Sequence, residues 1–214
     1  MIGPMSLRIA AAQDNPSAAF EVGVRFAEGR GIKQDFSEAY RWYHRSAAKG
    51  FALAQYRLAT LYERGLGTTA DAEQARLWYT RAAEQGNVKA MHNLAVFHSG
   101  REGVAPDYEQ AAMWYTAAAE RGLMDSQFNL AILYENGLGV PKDARQAYKW
   151  YALAARSGDK DAMRRRDALI AALDTAVVRT VESDVASWQR QSTSRLANDA
   201  RFAGDQWRQQ RSGG

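Results

Sequence analysis

The 214-residue chain contains no cysteine, only three histidines and only four prolines. The absence of cysteine excludes disulfides, thiolate metal sites and a cysteine nucleophile. No region concentrates charge of one sign: 28 basic and 24 acidic residues give a net charge of +4, spread along the whole chain. We therefore predict no nucleic-acid partner, because such binding depends on clustered Lys and Arg.

Long apolar runs are also missing from the sequence. A helix that spans a bilayer needs about 20 apolar residues, and the best candidate, residues 169–178, is interrupted by Asp174. We therefore expect no membrane insertion by this segment. Residues 1–12 lack the charged-then-apolar order of a secretory signal. Two alternatives stay open, a cytosolic chain and a chain whose targeting segment is not included.

The dominant feature of the sequence is an internal repeat. The chain aligns with itself at a period of 36 residues, over 15–50, 51–86, 87–122 and 123–158. Each repeat has a Trp-Tyr pair, flanking alanines and a closing glycine. The Trp residues are Trp42, Trp78, Trp114 and Trp150, and the closing glycines are Gly50, Gly86, Gly122 and Gly158. A fixed period of this length is typical of helical-repeat proteins.

Each repeat is predicted to form two helices. In the second helix of the first repeat, Ala39, Trp42, Tyr43, Ser46 and Ala47 form an apolar stripe at helical spacing. A capping box, an Asp followed three residues later by Glu or Gln, predicts where each second helix begins. The pairs are Asp35/Glu38, Asp71/Gln74, Asp107/Gln110 and Asp143/Gln146. Small residues on the first helices (Gly23, Ala59, Ala95 and Ala131) allow the paired helices to approach closely.

These features predict an all-α protein, a right-handed α-solenoid of four helix-turn-helix repeats that bury their apolar faces against one another. The solenoid is predicted to cover residues 5–190. It would have a half-repeat cap at 5–14 and C-terminal cap helices at 159–190. Ser, Arg, Gln and Gly dominate residues 191–214, so we predict a mostly disordered tail there.

The residues that could carry chemistry are better explained by packing. His92 and His98 stand where the other repeats have aromatic residues, and their spacing of six differs from the i, i+4 pair of a helical zinc site. The repeated aspartates are predicted as N-caps, and the Trp-Tyr pairs as core residues. We predict no catalytic residue, no metal and no cofactor, with a cell-wall-active enzyme as a remote alternative.

The pattern Ala-x-x-x-Leu-Ala-x-Leu-Tyr-x-x-Gly-x-Gly, followed by Asp-x-x-x-Ala-x-x-Trp-Tyr-x-x-Ala-Ala-x-x-Gly, resembles the Sel-one-like repeat (SLR) family, a relative of the tetratricopeptide repeat. The stretches Phe20-Glu21-Val22-Gly23 and Met91-His92-Asn93-Leu94 are similar to the PodJ-type polar localisation factors of alphaproteobacteria. This resemblance implies a non-catalytic scaffold for protein–protein interaction, located in the periplasmic portion of an inner-membrane protein that acts in cell polarity.

The resemblance also implies the kind of partner. It would be a protein or peptide, such as a polar histidine kinase or another periplasmic or inner-membrane protein, with an association with peptidoglycan. A secreted periplasmic SLR regulator that binds and restrains a sensor histidine kinase is the alternative.

Places that vary between repeats indicate where a partner would bind. The third, seventh, tenth and fourteenth places of the first helices fall in one angular sector, opposite the small packing residues. In helical-repeat proteins related to the SLR family, the first helices line a concave groove. The candidate partner-binding residues are Glu21, Val24, Arg57, Thr60, Arg64, Asn93, Val96, Asn129 and Ile132. Their mixture of charged, amide and aliphatic side chains suits an extended peptide, and a solvated face without function is the alternative.

Overall fold

The computed structural model describes residues 3–100 and 105–209. All regular structure in these two ranges is helical, and none of the helices there is long and apolar enough to cross a bilayer. The chain divides into two compact units. The first unit is Met1–Ala90 together with Thr193–Gly214, and the second unit is Met91–Ser192. The C-terminal residues therefore belong to the same unit as the first two repeats.

The helices follow the predicted repeats. Along the chain they are α1 (Met5–Ala12), α2 (Pro16–Glu28), α3 (Phe36–Ala48), α4 (Ala52–Arg64), α5 (Ala72–Glu84), α6 (Val88–His98), α7 (Tyr108–Glu120), α8 (Met124–Asn136), α9 (Ala144–Ala155), α10 (Lys160–Ala172), α11 (Thr175–Ser187), α12 (Arg195–Asn198) and α13 (Ala200–Gln209). The first helices of the repeats are α2, α4, α6 and α8, and the second helices are α3, α5, α7 and α9.

Each second helix begins after the predicted aspartate. Asp35, Asp71, Asp107 and Asp143 each accept a hydrogen bond of 3.0–3.1 Å from the backbone N–H three residues later. A capping box also has a second bond, in which the backbone N–H of the aspartate donates to the Glu or Gln side chain. That second bond is replaced here. That N–H donates instead, at 2.7–3.0 Å, to a carbonyl of the first helix of the same repeat; the acceptors are Phe26, Tyr62, His98 and Tyr134. This bond fixes the start of each second helix against the helix before it.

Neighbouring repeats also contact each other through the backbone. Gly67, with φ +69°, lies so close to the start of α3 that a Cβ would stand 2.1 Å from the Phe36 carbonyl oxygen. Gly139, with φ +66°, lies in the same way against Tyr108 at the start of α7. A side chain would therefore be excluded by the left-handed backbone and also by the lack of space. The turns of repeats two and four thus rest on the second helix of the preceding repeat.

The tyrosines of the Trp-Tyr pairs are core residues, as predicted. Tyr43, Tyr79, Tyr115 and Tyr151 are at most 4% exposed. Each lies against a ring on the first helix of its own repeat, with centroids 5.5–5.9 Å apart; the partners are Phe20, Tyr56, His92 and Phe128. This ring contact joins the two helices of every repeat. Among the tryptophans, Trp78 and Trp150 are buried, whereas Trp42 and Trp114 are half-buried.

The C-terminal region corrects one prediction. The sequence predicts a mostly disordered tail over 191–214, but residues 195–198 and 200–209 form α12 and α13. The prediction is wrong up to residue 209, and residues 210–214 lie outside the described part of the chain. The physical reason is that Ala197, Ala203 and Trp207 are buried, and burial of a few well-spaced apolar side chains orders a segment whose average composition is polar.

Candidate protein-binding surface

The predicted binding residues on α2 are less accessible than the helical angle indicates. Glu21 is paired with Arg25 (Oε1–Nε 2.9 Å), and only 16% of its side chain is exposed. Val24 is 5% exposed and belongs to the core, which corrects its prediction as a partner contact. A helical wheel identifies the sector a residue occupies but not what packs over that sector, and this is why the prediction failed for Val24.

On α4 the predicted residues differ in accessibility. The Thr60 hydroxyl donates to the Tyr56 carbonyl at 3.1 Å and lies 3.2 Å from the Tyr79 hydroxyl, so it is bonded internally. Arg57 is half-buried, and its Nε is buried without a hydrogen bond to any described residue. Burial raises the pKa of Tyr43, and the nearby positive charge of Arg57 opposes that rise. Arg57 is therefore a half-buried cation next to the core of the first repeat, whereas Arg64 is exposed.

In the second unit the predicted residues lie on α6 and α8. Asn93 and Asn129 are half-buried, and Ile132 packs against the core of this unit. Burial raises the pKa of Tyr115, and a hydrogen bond from Asn129 works in the opposite direction. Val96 is 41% exposed. Arg64 in the first unit and Val96 in the second are thus the exposed members of the predicted set.

Hydrogen bonds between tyrosines of second helices and glutamates of first helices form polar clusters that the sequence analysis missed. The Tyr151 hydroxyl donates to Glu135 Oε2 at 2.6 Å, and Arg165 Nη1 donates to the same oxygen at 2.9 Å. In repeat two, the Tyr79 hydroxyl donates to Glu63 Oε2 at 2.7 Å. Burial and the Glu135 carboxylate raise the pKa of Tyr151, so this hydroxyl acts as a donor and not as a base. The signal in the sequence was a glutamate at the thirteenth place of repeats two and four.

His92 is a packing residue, as predicted. Its ring centroid lies 5.7 Å from that of Tyr115, and its Nδ1 lies 2.9 Å from Ser126 Oγ. Burial lowers the pKa of His92, and Asp125 opposes this effect. Across residues 3–100 and 105–209, no three His, Asp or Glu side chains form a group that could hold a metal ion.

Residues 193–209, which we call the C-terminal segment, bind to the turn that precedes α6. The side chain of Asn198 makes two hydrogen bonds with this turn: its Nδ2 donates to the Gly86 carbonyl at 2.9 Å, and its Oδ1 accepts from the Val88 N–H at 2.8 Å. Asn87, which is 2% exposed, donates through Nδ2 to the Ala197 carbonyl at 2.5 Å. The segment is therefore held at this point by specific polar contacts.

Further along the segment, α13 lies against α2. A Cβ added to Gly204 would stand 3.2 Å from Glu21 Oε2 and 3.8 Å from Phe20 Cδ1, which shows how closely the two helices approach. Trp207 is 4% exposed and packs in a small core formed with α1 and α2; its buried partners are Leu7, Ala11, Ala18 and Val22. The sequence signal was the spacing of Ala200, Ala203 and Trp207 at i, i+3 and i+7.

Comparison with known proteins identifies the repeats. Residues 16–51, 52–87, 88–123 and 125–159 match the Sel1 repeat family. A solved Sel1 repeat protein from Oxalobacter formigenes is 32% identical, with a TM-score of 0.70 over 76% of this chain and 47% of that chain. A protective antigen of uropathogenic Escherichia coli with an SLR fold is 27% identical, with a TM-score of 0.54 over 97% of this chain and 50% of that chain.

The chain thus spans about half the length of these two solved proteins. No curated protein matches it. The matches confirm the predicted fold class, an all-α solenoid of four repeats. Such repeats mediate protein–protein interactions, and their fold is typically a non-catalytic scaffold. By its sequence repeats and by its solved structural neighbours, the chain belongs to the Sel1 repeat, or SLR, family.

Proposed function

We propose that this chain is a non-catalytic interaction module that recruits or localises protein partners at a bacterial cell pole. The observation that supports it is a contrast between places within the repeat: the packing places recur, whereas an exposed place varies. The tyrosines and the capping aspartates recur and are used for packing and helix starts. The fourteenth place of repeats one, two and four is instead exposed and variable, with Glu28, Arg64 and Asn136. Shared packing with differing solvent-facing residues is what a partner-specific scaffold requires.

The polarity role and the periplasmic location rest on the resemblance to PodJ-type factors. In this proposal the chain is the periplasmic portion of an inner-membrane protein, and its partner is a polar histidine kinase or another periplasmic or inner-membrane protein. Peptidoglycan association belongs to the same proposal. The absence of cysteine is compatible with a periplasmic location, because the fold needs no disulfide.

The test is localisation of the exported chain in an alphaproteobacterial host, fused to a fluorescent protein that matures in the periplasm. We expect polar foci for the wild type and diffuse fluorescence for Arg64→Glu with Val96→Asp, because these exposed side chains lie on the predicted binding faces. The melting temperature of this variant should change by about 2 °C or less, as is usual for surface substitutions. Diffuse fluorescence of the wild type would contradict the polarity role.

The matched control is Arg41→Glu with Arg76→Glu, which changes exposed residues of α3 and α5. Foci should persist in this control. Loss of foci in the control alone would place the binding surface on the second helices. A change in the autophosphorylation of a co-purified sensor kinase, without polar foci, would favour the regulator. Release of muropeptides by the pure chain would favour an enzyme.

A further inference from the structure

We infer that the face of the first unit beneath the C-terminal segment is a peptide-binding surface, and that the chain's own residues 193–209 occupy it as an internal competitor. The external ligand is a polypeptide segment of another protein with the same chemistry. Such a ligand has an asparagine that corresponds to Asn198, followed by a short helix with small residues and an aromatic residue that corresponds to Trp207. This inference rests on the proposed function, because it specifies a partner for an interaction module.

The occupant is separable from the rest of the fold. Residues 188–194 form no helix, and residues 189–196 are all exposed. The last anchor before the segment is Gln191, whose N–H donates to the Glu120 carbonyl at 2.8 Å within the second unit. Beyond Gln191 the segment can leave its surface without unwinding any of the four repeats. It therefore has the geometry of a tethered peptide.

Recognition of the segment depends on one asparagine. Asn198 uses its donor and its acceptor at once, on the Gly86 carbonyl and the Val88 N–H. The Val88 N–H lies in the first turn of α6, where backbone donors have no partner within the helix. An aspartate could accept but not donate, and an alanine could do neither. These two hydrogen bonds to the backbone favour asparagine at the corresponding position of any competing segment.

The turn itself contributes a second asparagine to this contact. Asn87 Nδ2 donates to the Ala197 carbonyl, and Asn87 Oδ1 accepts a hydrogen bond from the Ala90 N–H at 2.8 Å. The same place holds Asn15 in repeat one, whose Oδ1 likewise accepts from the N–H three residues later, at 3.0 Å. Repeats two and four have Phe51 and Leu123 there, which offer no side-chain hydrogen bond. The helix cap made by Asn87 is therefore shared with repeat one, and it is the bond from Asn87 to the Ala197 carbonyl that joins this turn to its occupant.

The aromatic end of the contact leaves room for a better ligand. The indole N–H of Trp207 is buried and has no acceptor among the described residues, a situation that native packing usually avoids. The ring borders a surface cavity of about 690 Å³ that is also lined by Met5 and Ile9, which are 68% and 48% exposed. A segment that fills this cavity, or that carries a ring without an N–H, would bind more tightly than the resident one.

The experiment uses the full chain and a fluorescent synthetic peptide of residues 193–209, followed by anisotropy. Asn198→Ala with Trp207→Ala in the chain weakens the internal competitor, so the peptide should bind this variant at least about tenfold more tightly than it binds the wild type. A peptide that carries Asn198→Ala should bind the same variant about tenfold less tightly. Arg201→Ala in the chain, an exposed residue of α13, is the control and should leave peptide binding at the wild-type level.

A second format covers the case in which the double variant fails to fold. A protease site placed between Ser192 and Thr193 of the wild-type chain releases the tether, and labelled peptide should then exchange with the cut segment. A folded variant that does not bind the peptide, or a cut segment that neither dissociates nor exchanges, would show that the segment is a fixed part of the fold. Concentration-dependent dimers in light scattering, abolished by Asn198→Ala, would assign the surface to a second copy and overturn a foreign partner. Any of these failures leaves the proposed polar recruitment open, because its own test uses substitutions at Arg64 and Val96.

Discussion

His92 takes the place that holds Phe or Tyr in the other repeats, and it keeps the ring contact while adding a hydrogen bond. Its ring lies against Tyr115, and Nδ1 bonds to Ser126 Oγ, whose residue is completely buried. Burial disfavours the charged form of this half-buried imidazole and lowers its pKa. The third repeat therefore contains a titratable group inside its aromatic core.

We expect His92→Phe to flatten the pH dependence of stability. Burial lowers the pKa of His92 in the folded chain, so the unfolded chain, where the pKa is about 6.5, binds the proton more readily. The stability contributed by neutral His92 is present above about pH 6.5 and is lost as the pH falls through that value toward the lower folded pKa. Urea unfolding at a series of pH values between about 7 and 5 measures the slope.

The same variant should be less stable at pH 7, since Ser126 Oγ loses its partner at a cost of about 1 kcal/mol. The control is His44→Phe, because His44 is exposed on α3. An unchanged slope for His92→Phe would show that His92 does not resist protonation in the folded state.

Trp207 offers a second prediction at the scale of one side chain. Trp207→Ala should lower the free energy of unfolding by about 3 kcal/mol, because the indole is 4% exposed and fills the small core with Leu7 and Val22. Trp207→Phe should cost about 1 kcal/mol or less, since it keeps a ring and removes the buried N–H that has no acceptor. Chemical denaturation compares the two, and equal losses would show that the ring is not seated as described.

At the scale of the element, the turns between repeats are the most demanding positions. We expect Gly67→Ala to cost about 3 kcal/mol or more, because it adds a left-handed alanine and also places Cβ against the backbone of Phe36 at the start of α3. Gly50→Ala is the matched control: φ is +82° but no atom lies within 4 Å of the added Cβ, so only the backbone cost of about 1–2 kcal/mol applies. Thermal unfolding of both variants measures the difference in their loss of stability. Similar losses would mean that the start of α3 shifts to accommodate the added Cβ without a measurable loss of stability.

The helices could be predicted from the sequence because their signals are local. The aspartate caps and the ring stripe involve residues three or four apart, as in Asp35 and Glu38. The bond from the Asp35 N–H to the Phe26 carbonyl could not be predicted, since it depends on the angle between two helices. The contact of Gly67 with Phe36 joins two repeats and leaves only a glycine in the sequence as a trace.

At the scale of the whole molecule, truncation after Gln191 tests how much the C-terminal segment contributes. Removal of α12 and α13 uncovers the partners of Trp207 and leaves the Val88 N–H without its acceptor. We expect a loss of about 3 kcal/mol or more, at least as large as that of Trp207→Ala, which corresponds to a fall in melting temperature of roughly 6–12 °C. Removal of residues 210–214 alone is the control, and circular dichroism melts provide the measurement. Equal melting temperatures would support the sequence-based prediction of a mostly disordered tail over 191–214.

The parts of the candidate site that escaped prediction are those set by distant packing. Trp207 rests on Leu7, which lies at the other end of the chain, and no local pattern records that contact. Helical angle correctly indicated exposure for Arg64 and Val96. It failed for Val24, which lies in the same sector but is covered.

Gly67 packs against the start of α3, and Gly139 packs against the start of α7. These contacts limit how the length of such a chain can change in evolution. A single inserted residue in either turn would shift the glycine off its backbone contact and put a side chain there. Duplication of a complete 36-residue block instead copies the glycine and its receiving helix start together. Genes of this kind are therefore expected to lengthen and shorten by whole repeats, with small insertions confined to the ends.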